Sequence, residues 1–299
     1  MGQEEAQINT LRVRDGIMKR TLFTVVNREY QEFLPLWAKS ARDLWPDIEI
    51  KAVTTTPVPI GIIAALRKLG VTAGLFRYGF APTVSSSCLR FVIKPDGEQD
   101  QVLVTDADVV FTSKGLWDVL EKKMHDTNEL CGVYQGSWVH PKRAVAPHGW
   151  VNEMQRIAGG FCLFTKEWYD RTELCRPGWW FDVEEGNWGT FRESDEVMLC
   201  RIMRECNVPL PDHSGFPVEH RGLHLGDFKP SMDHRWRNKS KMRNLLHDAA
   251  FSGACAFWRN NQDLIRETRN SGSLAGVTVS NFEEYAQNRG PSKGPYRMG

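Results

Sequence analysis

The sequence predicts an α/β fold: a mixed, mostly parallel sheet flanked by helices, with a helical C-terminal extension. Three observations carry this expectation. Short runs rich in β-branched residues recur at RTLFTVV (20–26), IEIKAVTT (48–55) and VLVT (102–105), each of strand length. Segments with helical spacing of apolar residues lie between them. Breakers such as Pro46 and Gly70 stand at the junctions. Strands that alternate with helices close into a parallel sheet through right-handed crossovers.

Taken in order, residues 1–18 read as a polar lead and 20–26 as the first strand. REYQEFLPLWAKSARDLW (28–45) predicts an amphipathic helix closed by Pro46, because proline lacks the amide a helix needs. Residues 48–55 form the second strand. After a Pro-rich turn, GIIAALRKLG (61–70) predicts a helix that ends on glycine. A short strand near 72–77 follows, then a helix over SSSCLRFVIK (85–94) with a serine cap. The strand 102–105 runs into Asp106-Ala107-Asp108. GLWDVLEKKM (115–124) reads as helix and LCGVYQG (130–136) as strand. Residues 137–157 read as a long loop holding Trp138, His140, His148 and Trp150. GGFCLFT (159–165) predicts a strand and KEWYDRTELC (166–175) a helix. PGWWFDVEEGNWGTF (177–191) is an aromatic, Gly-containing loop, and SDEVMLCRIMREC (194–206) a helix capped by Ser194. The layout is a lead at 1–18, one domain at 19–230, and a helical extension at 231–299 with a loose end from about residue 270.

Bulk properties narrow the function. The 299 residues are 41% hydrophobic and 25% charged, with net charge +1. No global field calls for nucleic acid. The apolar run LFTVV (22–26) is too short to span a bilayer and follows a charged lead, so no signal peptide is legible. The 7 Cys lack paired spacing, which fits reduced thiols and a cytoplasmic, soluble protein. Residues 231–299 hold 11 Lys and Arg against 6 Asp and Glu. A solvated helical face is the simpler account of that charge; weak contact with an anionic membrane surface is the alternative.

The chemistry centres on Asp106 and Asp108. Two hard oxygen donors at i and i+2, just past a strand, suit Mg2+ or Mn2+, which keep positions open for phosphate oxygens. Two carboxylates at the end of a buried strand require a counter-charge, and none is evident within the motif. Without a cation, the pair would be a turn whose aspartates cap local amides. Asp195 and Glu196 sit in the first turn of a predicted helix, where the dipole favours acids in any case. Trp179, Trp180 and Trp188 offer indole faces on which a sugar ring stacks.

SSSCLRFVIKPDGEQDQVLVTDADVVF (85–111) resembles the glycogenin-like and lipopolysaccharide galactosyltransferase family of nucleotide-sugar glycosyltransferases. That family has the GT-A fold, a Rossmann-like mixed sheet, and carries an Arg on a helix, then a strand, then D-x-D. TLFTVVNREYQEFLPLWAKSARD (21–43) is similar to its first strand and helix. AGGFCLFTKEWYD (158–170), DEVML (195–199) and HLGDFKP (224–230) are similar to its later segments. The resemblance spans roughly 20–230 in the family's order. It implies a metal held by Asp106, Asp108 and His224, with His220 competing for the last role. It implies a nucleotide-sugar bound by Thr24, Asn27, Tyr30, Arg90, Ala107, Gly159, Gly160, Gly226 and Lys229, with Arg90 and Lys229 on the diphosphate. The donor implied is a UDP-sugar, with GDP as an option, and the acceptor a glycan or other hydroxyl. Asp195 would bind donor-sugar hydroxyls, and Glu196 would lie beneath the anomeric carbon. Ala158 stands where the family has Asn, Glu196 where it has Gln, and HLGDFKP has one residue fewer between His and Gly. Retention with Glu196 as nucleophile or stabiliser, and inversion with Asp195 or Glu196 as base, both stay open.

Three rival readings use the same residues. VLVTDADVV also fits the first strand of a haloacid-dehalogenase-type phosphatase, but that motif opens its chain, and here α/β units precede it. A nucleotidyltransferase needs a Gly-rich basic loop after the first strand, which is missing from the sequence. A non-enzymatic carbohydrate-binding protein accounts for the Trp loops and leaves the aspartates idle.

Overall fold

The computed structural model describes residues 18–75, 82–127, 131–133, 161–173, 199, 202–203, 205–208, 223–224 and 249–268. The first strand, β1 (Arg20–Val26), has the predicted bounds. The helix after it starts later than its amphipathic pattern implies: α1 spans Leu34–Leu44, preceded by a 3-10 turn over Gln31–Phe33. The reason is local. The Asn27 side-chain Oδ1 accepts from the Glu29 amide at 3.1 Å and the Asn27 carbonyl from the Tyr30 amide at 3.2 Å. The chain therefore turns at 27–30 before helix can form. Pro35 then sits in the first helical turn, where its missing N–H costs nothing. At the far end Trp45, the residue before Pro46, takes φ −131°, ψ 79°, outside the helical region.

Strand β2 (Glu49–Thr54) leads to α2 (Ile60–Lys68), and Gly70 turns the chain out of that helix at φ +66°. Strand β3 (Val71–Leu75) follows. Helix α3 (Pro82–Val92) begins three residues before the expected serine cap at 85, on a proline suited to a first turn. Then come β4 (Gln101–Thr105), a two-residue strand β5 (Val109–Val110) and α4 (Gly115–Thr127). Strands β6 (Cys131–Val133) and β7 (Phe161–Thr165), helix α5 (Lys166–Thr172), β8 (Leu223–His224), α6 (Ala249–Asn260) and α7 (Gln262–Thr268) complete the described elements. The predicted loops at 137–157 and 177–191 and the Ser194 cap lie outside the described residues.

Six strands form one sheet in the order β3-β2-β1-β4-β7-β6. The pairs β1–β2, β2–β3 and β1–β4 are parallel, while β4–β7 and β6–β7 are antiparallel. The sheet is therefore mixed, as expected. Alternating side chains divide the core into two layers. Leu22, Leu103 and Leu163 pack with α1, α2 and α4 on one face. Phe23, Val102, Val104, Cys162 and Phe164 pack with α3, α5 and Leu199, Ile202 and Met203 on the other. Trp168 of α5 stacks on Phe164 at 4.7 Å between centroids and is fully buried.

Helices α6 and α7 come from the basic C-terminal region and pack back onto the sheet domain. Helix α7 lies against α1 and α2, and α6 lies against β8. Gly253 explains how α6 comes so close: a Cβ placed there would stand 3.1 Å from Thr112 Cβ and 3.2 Å from its Cγ2. Gly253→Val is expected to force α6 off Thr112 and destabilise the fold by about 1–3 kcal/mol, the range for overpacking a close contact. Thermal unfolding measures this; an unchanged melting temperature would mean that α6 does not dock there. Among the described residues, no helix is long and apolar enough to cross a membrane. Cys88 and Cys162 are buried, and Cys206 is half-buried.

Candidate active site

Strand order places the site. From β1 the chain runs outward through β2 and β3, and α3 then returns it to β4 on the other flank of β1. Where the order reverses, the connections leave a crevice outside the carboxyl ends of the two central strands. At β1 that end is Asn27, and at β4 it is Asp106-Ala107-Asp108. A shallow surface recess lined by Met18, Lys19, Arg20, Asp47, Glu49 and Glu98 opens at the opposite, amino ends of the strands. Its charges alternate in sign and match no single ligand charge.

On the β1 side, the turn at 27–30 shapes the wall. Asn27 is buried, with its amide oxygen engaged by Glu29. Tyr30 is half-buried, 6.0 Å from Phe33 between ring centroids. Gln31 Nε2 donates to the Thr56 carbonyl at 2.8 Å and to Thr56 Oγ1 at 2.9 Å, tying this turn to the loop after β2. Thr24 lies deeper. It is 1% exposed, and its hydroxyl donates to the Thr105 carbonyl at 2.8 Å. Its proton is thus used inside the sheet.

On the β4 side, the aspartates differ. Asp106 has a side chain 32% exposed, whereas Asp108 is 8% exposed and Ala107 between them is buried. The counter-charge that the motif lacks comes from α3. The Arg90 guanidinium, only 4% exposed, pairs through Nη1 with Asp106 Oδ1 and lies 4.9 Å from the Phe91 ring centroid. The guanidinium assigned to a diphosphate from sequence is therefore engaged first with the leading aspartate of the motif. A buried guanidinium fixes a carboxylate's orientation more tightly than a solvated one does.

His224 enters through the second, two-stranded sheet. Strand β8 pairs antiparallel with β5, with His224 opposite Val109 and Leu223 opposite Val110. The backbone of the third predicted ligand thus lies beside the residue that follows Asp108. Among the described residues no three His, Cys, Asp or Glu side chains gather into a metal cluster, so the described part of the donor set is the two carboxylates. Two hard oxygen donors at an open strand end fit a hard divalent cation.

Gly159 and Gly160 lie outside the described residues; they immediately precede Phe161, which pairs with Thr105. Asp195, Glu196, His220, Gly226, Lys229, Trp179, Trp180 and Trp188 also lie outside them. Leu199, three residues after Glu196, is buried in the α3-side core. Two groups with shifted acidity form a surface pair at the far end of the sheet. Asp170 is held below the usual carboxylate range by a hydrogen bond from Lys166, which is raised by the same contact.

Two residues near the motif, Trp37 and Ser40, escaped sequence reading. Trp37 Nε1 donates to Thr105 Oγ1 at 2.9 Å. The Phe111 amide donates to Ser40 Oγ at 3.1 Å. Trp37 and Ser40 sit on the apolar face of an amphipathic helix and read simply as core; only a buried serine among large apolar residues hints at a partner.

The chain matches no family model and no curated protein. It is similar to several solved structures at low identity. One is a galactosyltransferase, LgtC, in complex with donor and acceptor sugar analogues: 14% identity over 65% of this chain and 68% of that one, TM-score 0.35. A second is a mannosyltransferase from Pyrobaculum calidifontis in complex with GDP-Man and Mn2+, at 14% identity over 93% of this chain and 77% of that one, TM-score 0.40. A third is a protein from Desulfovibrio desulfuricans G20 assigned as a nucleotide-diphospho-sugar transferase, at 12% identity over 84% of this chain and 99% of that one, TM-score 0.39.

Proposed function

We propose that the chain is a metal-dependent glycosyltransferase of the GT-A type that moves a sugar from a nucleotide-sugar, a UDP-sugar first, to an acceptor hydroxyl. The observation that carries this reading is the convergence at one crevice. Asp106 and Asp108 end β4 beside the carboxyl end of β1, and β8 brings the His224 backbone opposite Val109.

In this reading Asp106, Asp108 and His224 hold Mn2+ or Mg2+. The bound cation supplies Lewis acidity to the charge that develops on the departing diphosphate. Arg90 keeps the Asp106 carboxylate oriented, and Lys229 places a point charge on the diphosphate. The turn at Asn27–Tyr30 forms the wall for the base. Asp195 binds donor-sugar hydroxyls. The anomeric carbon's bond to the diphosphate oxygen breaks with its electron pair leaving on that oxygen, and a new bond forms to the acceptor oxygen. For retention, Glu196 lies beneath the anomeric carbon as nucleophile or ion-pair stabiliser, and the acceptor proton passes to the departing diphosphate oxygen. For inversion, Asp195 or Glu196 takes the acceptor proton.

The test is incubation with a panel of UDP- and GDP-sugars, with Mn2+ and with EDTA, while following nucleotide release and the anomeric configuration of the product by NMR. Metal-dependent release of UDP supports the reading. Release of inorganic phosphate from phosphomonoesters, with no nucleotide release, would replace it with the phosphatase reading. Within the reading, Glu196→Gln is expected to lower kcat strongly with little change in UDP affinity, because its interaction belongs to the transition state. Near-normal kcat with a lowered melting temperature would make Glu196 a helix-start acid, worth under about 1 kcal/mol, and move the role to Asp195.

A further inference from the structure

We infer that helix α1 is the template that sets the D-x-D turn, and that Trp37 and Ser40 are positioning residues for the cation ligands Asp106 and Asp108. This inference rests on the cation-binding reading of that turn. The turn is pinned at both ends, and the pins come largely from one helix. At its start, Thr105 Oγ1 accepts from Trp37 Nε1 at 2.9 Å while the Thr105 carbonyl accepts from the Thr24 hydroxyl at 2.8 Å. At its end, the Phe111 amide donates to Ser40 Oγ at 3.1 Å. Ser40 donates its own proton to the Trp37 carbonyl at 3.0 Å, so its oxygen is oriented by the helix itself.

The placement follows from geometry and is costly to break. Trp37 and Ser40 are three residues apart on α1 and share a face. Both are sealed from water, at 0% and 1% exposure. Among the described residues the β5–β8 ladder ends at Val110, and Ser40 supplies the acceptor for the Phe111 amide. An alanine at 40 would suit the helix better but would bury that amide unsatisfied. The Phe111 ring adds a third hold. It packs edge-on against Trp45 at 5.3 Å and Phe161 at 6.4 Å. Only Asp106, Ala107 and Asp108 lie between the pinned strand end and β5. A shift of α1 therefore moves both carboxylates together. Partners one layer behind the ligands of a metal set its affinity without touching it.

The experiment titrates Mn2+, with UDP present, into wild type, Trp37→Phe and Ser40→Ala, counting free and bound Mn2+ by EPR. Trp37→Phe removes the indole N–H together with part of the ring, and the melting temperature reads the cavity this leaves. Thr172→Val is the control: its buried hydroxyl bonds the Tyr169 carbonyl within α5, across the sheet from α1. Both α1 variants are expected to bind Mn2+ about tenfold more weakly, the low end of the range for direct partners of a ligand, because Trp37 and Ser40 bond the residues that flank the ligands. Their bound-Mn2+ line shape should change as well, while Thr172→Val loses stability alone. Wild-type affinity and line shape in both α1 variants, with only a lowered melting temperature, would overturn the inference and leave the proposed function standing. Absence of Mn2+ uptake by wild type itself would overturn the proposed function, and the inference with it.

Discussion

Asp106→Asn and Asp108→Asn will each cut sugar-transfer turnover by at least about a hundredfold, the scale of losing one strong electrostatic stabiliser. On the proposed function, each change removes one anionic oxygen donor from the cation and preserves shape. The two variants should differ in stability. Asp106 pairs with the Arg90 guanidinium, whose side chain is 4% exposed, so its loss removes a carboxylate from a buried cation. Breaking a buried pair from one side typically costs about 3–5 kcal/mol. Asp106 is itself one-third exposed, so the lower end of that range applies. Turnover with saturating Mn2+ and chemical denaturation of the same preparations measure both effects. Full activity in EDTA, or in both variants, would remove the cation from the mechanism.

Arg90→Met will have the second largest effect, on stability and on the site together. The side chain is sealed between α3 and the end of β4, with its charge on Asp106 and its plane near Phe91. Methionine fills most of the volume and brings no charge. Asp106 can turn its carboxylate to water, so the expected loss is about 2–3 kcal/mol, below that for a fully buried partner. Arg90→Lys restores a charge but not the fork that grips a carboxylate, and should recover stability better than turnover. Equal turnover in Arg90→Met and wild type would show that Asp106 needs no guanidinium to be oriented.

The central strands were legible because burial on both faces demands long β-branched runs: RTLFTVV and VLVT could not be solvated loops. Gly70 was legible as a helix end because a positive φ suits glycine. The start of α1 was not. Its hydrophobic spacing continues back through residues that an Asx turn at Asn27 commits elsewhere. The pairing of β5 with β8 was beyond reach for another reason: two-residue strands carry no periodicity, and their partner is remote in the chain. For the candidate site, the acids announced themselves by position after a buried strand. The counter-charge did not, because Arg90 reaches Asp106 only once α3 has crossed the sheet. Trp37 and Ser40 were hidden by their location, since a hydrogen-bonding residue inside a helical apolar stripe reads as packing.

The order in which the strands are joined has a consequence for biogenesis. The units β1–α1–β2 and β2–α2–β3 are made of near neighbours and can associate as the chain is synthesised. The crevice cannot form with them: Thr24 and Thr105, which bond to each other where β1 and β4 meet, are separated by 81 positions. Closing that distance carries a loop entropy that local contacts must first offset, so pairing of β4 with β1 belongs to a slower stage. Val109 then waits for His224, and Thr112 for Gly253, both far downstream. A nascent chain that has emerged only as far as β4 already displays both aspartates but has no β8 to pair with the strand after them. On the proposed function, competence is acquired last, when the C-terminal region arrives, and a chain interrupted before β8 would carry the two aspartates without the strand that brings the His224 backbone beside them.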